Sequence, residues 1–304
     1  MDTCVEDIGF DWAFERYEAI RPRLPKAEFG NRPKRAENLA SVAAHFDCFI
    51  LDAFGVLNQG ETPIPGAVER MEELRNLGKK LIVLTNAASY TRTDILAKYH
   101  RLGFDFSSQE VISSRDLALE ALPQLGQSQK WAAIAAAGDR FDDTQAPFHH
   151  LLEEPELMET AGGFVYLSSA RWSDQDNARL IAALRANPRP VIVANPDLVA
   201  PRESGLTIEP GSFAHQLIDE GVATPIFFGK PYQSAFEAAI SRMPGVPRNR
   251  IAMVGDTLHT DILGGKAAGI GTVLITEHGL FRNRDVGEFI ERSGIKPDWI
   301  VSTT

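Results

Sequence analysis

Four polar positions stand directly after apolar runs. Asp52 follows Phe49-Ile50-Leu51, Thr85-Asn86 follows Leu81-Ile82-Val83-Leu84, Lys230 follows Phe227-Phe228-Gly229, and Asp256 follows Ala252-Met253-Val254-Gly255. Short, unbroken apolar runs read as strands of a parallel sheet buried on both faces. Ligands of such sheets bind beyond the carboxyl ends of the strands, so these side chains are expected in one pocket. Taken singly, each is explained by a strand-end or helix cap, and Lys230 by a solvated side chain. Taken together, two acids, a lysine and a threonine make a chemically coherent set. Paired carboxylates suit a hard cation with oxygen ligands, and Mg²⁺ suits a site that also holds phosphate. A carboxylate can itself accept a phosphoryl group, with lysine and metal neutralising the equatorial oxygens.

Alternating elements are needed to place those residues. Strands are expected at Cys48–Leu51, Leu81–Leu84, Ile226–Phe228, Ile251–Val254 and Thr272–Ile275, with helical patterns at Ala67–Leu77, Ser234–Ser241 and Asp261–Ala268 between them. This order argues βαβ units, an α/β fold with a Rossmann-like parallel sheet. A second alternation interrupts it: a helix at Ser114–Leu122, strands near Trp131–Ala136, Gly163–Leu167 and Pro190–Ala194, and a helix at Ser173–Ala186. The expected organisation is a core of residues 46–110 and 207–304 with a smaller α/β cap, residues 111–206, inserted in it. Hinges are placed near Ser113-Ser114 and Glu203–Pro210. Residues 1–45, with helical patterns at Asp11–Ile20 and Ala36–Ala44, are an N-terminal appendage with no assigned chemistry.

The 304 residues carry a net charge of −10, which excludes a general nucleic-acid or anionic-membrane surface. Any positive counterweight to a phosphate must therefore be local, a metal or a single lysine. Cys4 and Cys48 make no disulfide framework, and Cys48 reads as a buried thiol. No run approaches the roughly 20 apolar residues a bilayer span needs. The acidic start, Met1 to Asp7, has no secretory pattern, so a soluble cytoplasmic protein is expected. Neither a Gly-x-Gly-x-x-Gly turn after the first strand nor a P-loop is present, which argues against a dinucleotide-dependent dehydrogenase.

The segments Leu51-Asp52-Ala53-Phe54-Gly55-Val56-Leu57, Leu84-Thr85-Asn86, Gly229-Lys230-Pro231 and Val254-Gly255-Asp256-Thr257-Leu258-His259-Thr260-Asp261 resemble, in order, the four motifs of haloacid-dehalogenase-type phosphatases. Pro63-Ile64-Pro65-Gly66-Ala67 and Asn195-Pro196-Asp197 are similar to the class IIA branch, which holds 4-nitrophenylphosphatase-like and sugar- or nucleotide-phosphatase proteins with an inserted cap. The resemblance spans about Phe46 to the C-terminus. It implies Asp52 as nucleophile and Mg²⁺ ligand, with the Phe54 carbonyl and Asp256 completing the metal site and Asp261 supporting it. Thr85 and Asn86 would hold phosphoryl oxygens, the latter through its backbone N–H or its amide. Lys230 would pair with Asp52 and the phosphate, and Gly55 and Gly255 would permit close backbone approach. A small phosphorylated metabolite as substrate, a cap that excludes folded proteins, and a homodimer are implied on the same ground.

One position departs from the pattern. Phosphatases of this family usually carry a second Asp two residues after the nucleophile, where it moves the leaving group's proton; here Phe54 stands there. General acid–base catalysis contributes about 10²–10⁴-fold, so three readings stay open. The substrate could have a good leaving group, such as an acyl or aryl phosphate. Another group could move the proton, with His259, Asp197 and Asp139 as candidates. Or the chain binds a phosphorylated ligand with little or no turnover.

Overall fold

The computed structural model describes residues 9–30, 32–125, 130–202 and 205–304. Cys4, and Glu203 of the second expected hinge, lie outside the described residues.

Two parallel sheets organise the chain. The larger has seven strands in the order Lys34–Asn38, Trp299–Thr303, Gly271–Ile275, Ile251–Gly255, Cys48–Leu51, Lys80–Thr85 and Val111–Ser113. Its central strands are buried along their whole length, as their unbroken apolar sequences require. From Cys48–Leu51 the chain winds outward through Lys80–Thr85 to Val111–Ser113. It then returns on the other side at Ile251–Gly255. Leu51 pairs with Val254 across that reversal, so Asp52 and Asp256 leave adjacent strands at the switch point, where a crevice forms.

The smaller sheet has five strands in the order Ile226–Phe227, Val191–Val193, Gly163–Tyr166, Trp131–Ile134 and Phe148–His150. It has its own core, which includes Ile134, Phe164, Tyr166, Leu180 and Leu184. The helix leading into it, Ser114–Ala121, opens on a capping box: Ser113 Oγ accepts the Asp116 N–H at 3.0 Å and the Asp116 carboxylate accepts the Ser113 N–H at 3.1 Å.

Three expectations are corrected. The Ile226–Phe228 run was assigned to the larger sheet, but Ile226 and Phe227 pair with Ile192 and Val193 of the smaller one. The preceding helix, Pro210–Asp219, buries Phe213, Ala214 and Leu217 in the smaller sheet's core. The insertion therefore runs past residue 206 to the strand before Lys230. Its start also moves, because Val111–Ser113 pairs with Lys80–Thr85 in the larger sheet. An apolar run alone does not say which of two parallel sheets will receive it.

The third correction concerns residues 1–45. Lys34–Asn38, within and before the expected Ala36–Ala44 helix, is an edge strand paired with Trp299–Thr303. Its polar sequence, Lys-Arg-Ala-Glu-Asn, suits an edge and hides the strand from a hydrophobicity reading. The Phe10–Ile20 helix buries Phe10, Phe14 and Tyr17 against Leu258, Phe281 and Phe289. The segment is part of the larger unit rather than an appendage to it.

Candidate active site

Asp52 leaves the Cys48–Leu51 strand with its N–H bonded to the Val254 carbonyl at 2.8 Å. Its Oδ1 accepts the Ala53 N–H at 2.7 Å and lies 2.6 Å from Lys230 Nζ. Asp256 follows the neighbouring strand, and its two oxygens accept the Thr257 hydroxyl at 3.0 Å and the Leu280 N–H at 2.7 Å. Asp261 lies on a single π turn, Leu258–Ile262, where a regular helix was expected; such turns recur at functional sites. The turn directs its Oδ2 to the Thr257 N–H at 3.1 Å and its Oδ1 to Lys230 Nζ at 2.7 Å.

Backbone approach around these acids is close. Gly279 has φ +74°, and a Cβ there would lie 1.8 Å from Asp256 Oδ2. Gly55 has φ +77°, with 2.8 Å from its would-be Cβ to the same carboxylate. Both positions demand glycine on conformation and space.

The electrostatics are those of a crowded acid cluster around one buried cation. Asp52, Asp256 and Asp261 bring one oxygen each within 4.8 Å of one another. Burial, then the charges of Asp261 and Asp52, push the Asp256 carboxyl well above the usual range. Burial and Asp52 push Asp261 up as well, opposed by Lys230. Burial pulls the Lys230 ammonium down, but Asp261, Asp52 and Asp197 outweigh that and hold it charged. Three acids around one lysine in a low-dielectric crevice cannot all ionise without a further positive charge. A hard divalent cation with oxygen ligands fits this donor set.

Asn86, at the end of Lys80–Thr85, has its amide engaged. Its Oδ1 accepts the Lys230 N–H at 2.8 Å, while its Nδ2 donates to the Lys230 carbonyl at 3.0 Å and to Asp197 Oδ1 at 2.8 Å. Of the two expected modes of phosphoryl contact, only the backbone N–H is left. The amide instead joins the two units. Thr85 Oγ1 accepts the Ala87 N–H at 3.2 Å, which leaves its proton free to donate.

A cavity of about 510 Å³ opens above these residues. Its floor includes Asp52, Phe54, Thr85, Asn86 and Asp256, and its roof includes Ser168, Ser169, Asn195, Asp197 and Glu209 from the inserted unit. Burial raises the Asp197 carboxyl to about 7, against the opposing pull of Lys230 and Asn86.

The three candidates for moving a proton separate here. Asp197 lines the cavity. Asp139 does not: it is buried on Arg115, with 2.5 Å from Arg115 Nη1 to its Oδ2, and Asp143 completes the cluster at 2.7 Å from Arg115 Nε. Asp139, one of the three candidates, is thus held by Arg115 and does not line the cavity. His259 is also turned away, its Nε2 2.5 Å from Glu18 Oε1 and its ring stacked on Tyr17.

Several cavity residues had no forecast. Ser168 and Ser169 follow the apolar run ending at Leu167, so the strand-end rule applied to the second sheet would have found them. Leu280, after the Gly271–Ile275 strand, and Tyr17, from the N-terminal helix, had no such signal.

Two family models match the chain: one described as haloacid dehalogenase-like hydrolase over residues 49–145, and one described as HAD-hydrolase-like over residues 227–303. Together they take in more than half of it, the first reaching through the inserted sheet's Trp131–Ile134 strand and the second starting at Phe227. The chain belongs to the haloacid dehalogenase-like hydrolases. Among its relatives, glycerol-3-phosphate phosphatase of Homo sapiens is 27% identical over 302 residues, covering 88% of this chain and 92% of the relative. A crystal structure from Cytophaga hutchinsonii, described as a "possible sugar phosphatase" of the same superfamily, matches with TM-score 0.77 and 25% identity, covering 89% of this chain and 98% of that one. Glycerol phosphate phosphatase of Mycobacterium tuberculosis, solved in complex with magnesium, shares the fold with TM-score 0.67 at 24% identity, over 86% of this chain and 76% of that one. Among the described residues, no helix is long and apolar enough to cross a membrane.

Proposed function

We propose that the chain is a Mg²⁺-dependent phosphatase of small phosphorylated metabolites, working through an aspartyl-phosphate on Asp52. The observation that carries this reading is the buried Lys230 ammonium bridging Asp52 and Asp261 beside a third acid, Asp256, with Asp52 and Asp256 lining the cavity floor above it. The Homo sapiens relative, named a glycerol-3-phosphate phosphatase, and the magnesium complex of the Mycobacterium tuberculosis enzyme support the substrate class and the metal.

Asp52, Asp256 and Asp261, with the Phe54 carbonyl, would hold Mg²⁺, which would supply positive charge against the phosphoryl oxygens. The Asp52 carboxylate attacks phosphorus, and the ester oxygen departs with the bond's electron pair. Lys230 and the Thr85 hydroxyl bind the phosphoryl oxygens, joined by the Asn86 backbone N–H. Water then attacks the aspartyl-phosphate, releasing inorganic phosphate and restoring the carboxylate.

Phe54 lines the cavity and cannot move a proton. We assign the departing oxygen's proton to Asp197, the one of the three candidates that faces the cavity. A second reading, a phospho-ligand binding protein, draws on Phe54 itself. Phosphate release from a panel of alkyl, aryl and acyl phosphates, with Asp52→Asn beside the native chain, separates the two. Mg²⁺-dependent release that Asp52→Asn abolishes supports the phosphatase. Binding of Mg²⁺ and of phosphate analogues with no release from any ester sinks it.

A further inference from the structure

The Phe10–Ile20 helix touches both sides of the cavity. Its buried face, Phe10, Ala13, Phe14, Tyr17 and Ile20, recurs at three- and four-residue intervals. That face packs on Leu258 and Ile262 of the π turn carrying Asp261, and on Leu198 beside Asp197. Tyr17 sits where the two meet. Its ring stacks on His259, with centroids 4.9 Å apart and 12° between planes, and its hydroxyl accepts the backbone N–H of Leu198 at 3.2 Å. It also lines the cavity itself.

Neighbouring residues fasten the C-terminal half of the same helix and the turn that follows it. Glu18 holds His259 Nε2 at 2.5 Å. Arg16 and Arg23 both reach Asp219, at the end of the inserted unit's Pro210–Asp219 helix, at 2.5 Å each. One helix therefore ties the metal-site turn of the larger unit to two points of the inserted one.

We infer that Tyr17 is a positioning residue that fixes the Asn195–Leu198 loop, and with it Asp197, against the π turn that carries Asp261. Leu198 is fully buried, and a buried N–H needs an acceptor; Tyr17 supplies it from a segment remote in sequence. Asp197 is one residue away and bonded through Asn86 to the backbone of Lys230, so the loop's register sets where its carboxylate lies over Asp52. The geometric part stands on these contacts, whereas its kinetic consequence rests on the phosphatase reading and on Asp197 moving the proton.

Tyr17→Phe in the full-length chain deletes one oxygen and keeps the ring stack. Hydrogen exchange is the first readout: amides of residues 195–200 should exchange about 10-fold faster, with the Ile251–Gly255 strand unchanged. The second is kcat/KM for glycerol 3-phosphate and 4-nitrophenyl phosphate in the native chain, Tyr17→Phe, Asp197→Asn and the double variant. Tyr17→Phe should lose about 10-fold on the alkyl ester, whose leaving group needs a proton, and less than about 3-fold on the aryl ester. Added to Asp197→Asn it should cost almost nothing more, because both act through one carboxylate. Unchanged exchange at 195–200, equal losses on both esters, or fully additive losses would overturn the inference. If the native chain releases phosphate from neither ester with Mg²⁺, the phosphatase reading fails, and exchange alone then decides the positioning role.

Discussion

Lys230 stands between Asp52 and Asp261, its ammonium 2.6 Å from an oxygen of the first and 2.7 Å from an oxygen of the second. Both contacts are buried, the lysine side chain being 2% exposed. Removing one partner of a buried ion pair costs about 3–5 kcal/mol, because the charge left behind is uncompensated. Lys230→Met leaves three acids facing one another, so it should destabilise the protein by about that amount. Phosphate release should fall by at least about 10³-fold, since the ammonium also neutralises the phosphoryl group. Urea denaturation and steady-state kinetics check the two halves, and a variant as stable as the native chain would mean that the lysine is not holding the cluster together.

The same cluster makes metal binding a stability measurement. A ligand that binds only the folded state stabilises it by RT ln(1 + [L]/Kd), about 2.7 kcal/mol at a hundred times Kd. Mg²⁺ should therefore raise the melting temperature of the native chain and EDTA should reverse the rise. Asp256→Asn removes one of the three oxygens that lie within 4.8 Å of one another and should abolish most of the response. Because this is read from melting curves, it does not depend on finding the substrate. A native chain whose melting is indifferent to Mg²⁺ would refute the metal site.

Gly279→Ala tests the wall behind Asp256. The position has φ +74°, and an added Cβ would lie 1.8 Å from Asp256 Oδ2. A non-glycine residue at such φ costs roughly 1–2 kcal/mol before any clash. The clash itself must move the carboxylate or the loop that donates the Leu280 N–H to it. The variant should lose Mg²⁺ affinity by at least about 10-fold, more than its lost stability alone explains. Titration calorimetry reads the affinity; native-like Mg²⁺ binding would show that the loop yields without disturbing Asp256.

Much of this was legible in the sequence because of one physical habit: parallel strands are apolar throughout and end abruptly where the ligand sits. Asp52, Thr85 and Asp256 were located by that rule alone, and they fall on adjacent strands of the larger sheet. Lys230 was located by the same rule but given to the wrong sheet, since Phe227-Phe228 is equally apolar beside either. Asp139 stayed among the candidates because Gly138-Asp139-Arg140 reads as a loop, and nothing local announces that Arg115, distant in sequence, will bury that acid. Tyr17 could not be found at all: its role arises from a helix packing on the far end of the chain, against Phe281 and Phe289. Local patterns carry strand ends; long-range packing carries the rest.

Phe54→Asp asks whether a missing acid limits the rate. Phe54 is half-buried and lines the cavity two residues after Asp52, so a carboxyl there would face the same space. If proton transfer is limiting, the variant should gain about 10-fold or more on an alkyl phosphate and little on 4-nitrophenyl phosphate, whose leaving group departs as a stable anion. Comparing kcat on the two esters isolates the effect from changes in binding. No gain on the alkyl ester would mean that the missing acid does not limit the rate, as when Asp197 already supplies the proton.

His215 predicts the sign of one pH effect. Burial, then the charges of Arg23 and Arg16, lower its pKa from 6.5 to about 4, with Asp219 opposing. The folded chain thus keeps the ring neutral while the unfolded chain binds a proton below pH 6.5, so the unfolded state holds more protons across that window. Stability contributed by the neutral ring is fully present above about pH 6.5 and is lost as pH falls toward 4, by about 3 kcal/mol in all. The raised carboxyl of Asp197 titrates in an overlapping range with the opposite sign, so the native curve alone is not diagnostic. The difference between the native chain and His215→Gln is, because only the histidine's contribution is removed. On going from pH 7 to pH 5, the denaturant midpoint of the native chain should fall further, or rise less, than that of His215→Gln. Identical pH dependence in the two would show that the ring takes up a proton as readily folded as unfolded, and that Arg23, 3.4 Å from its Nδ1, does not keep it neutral.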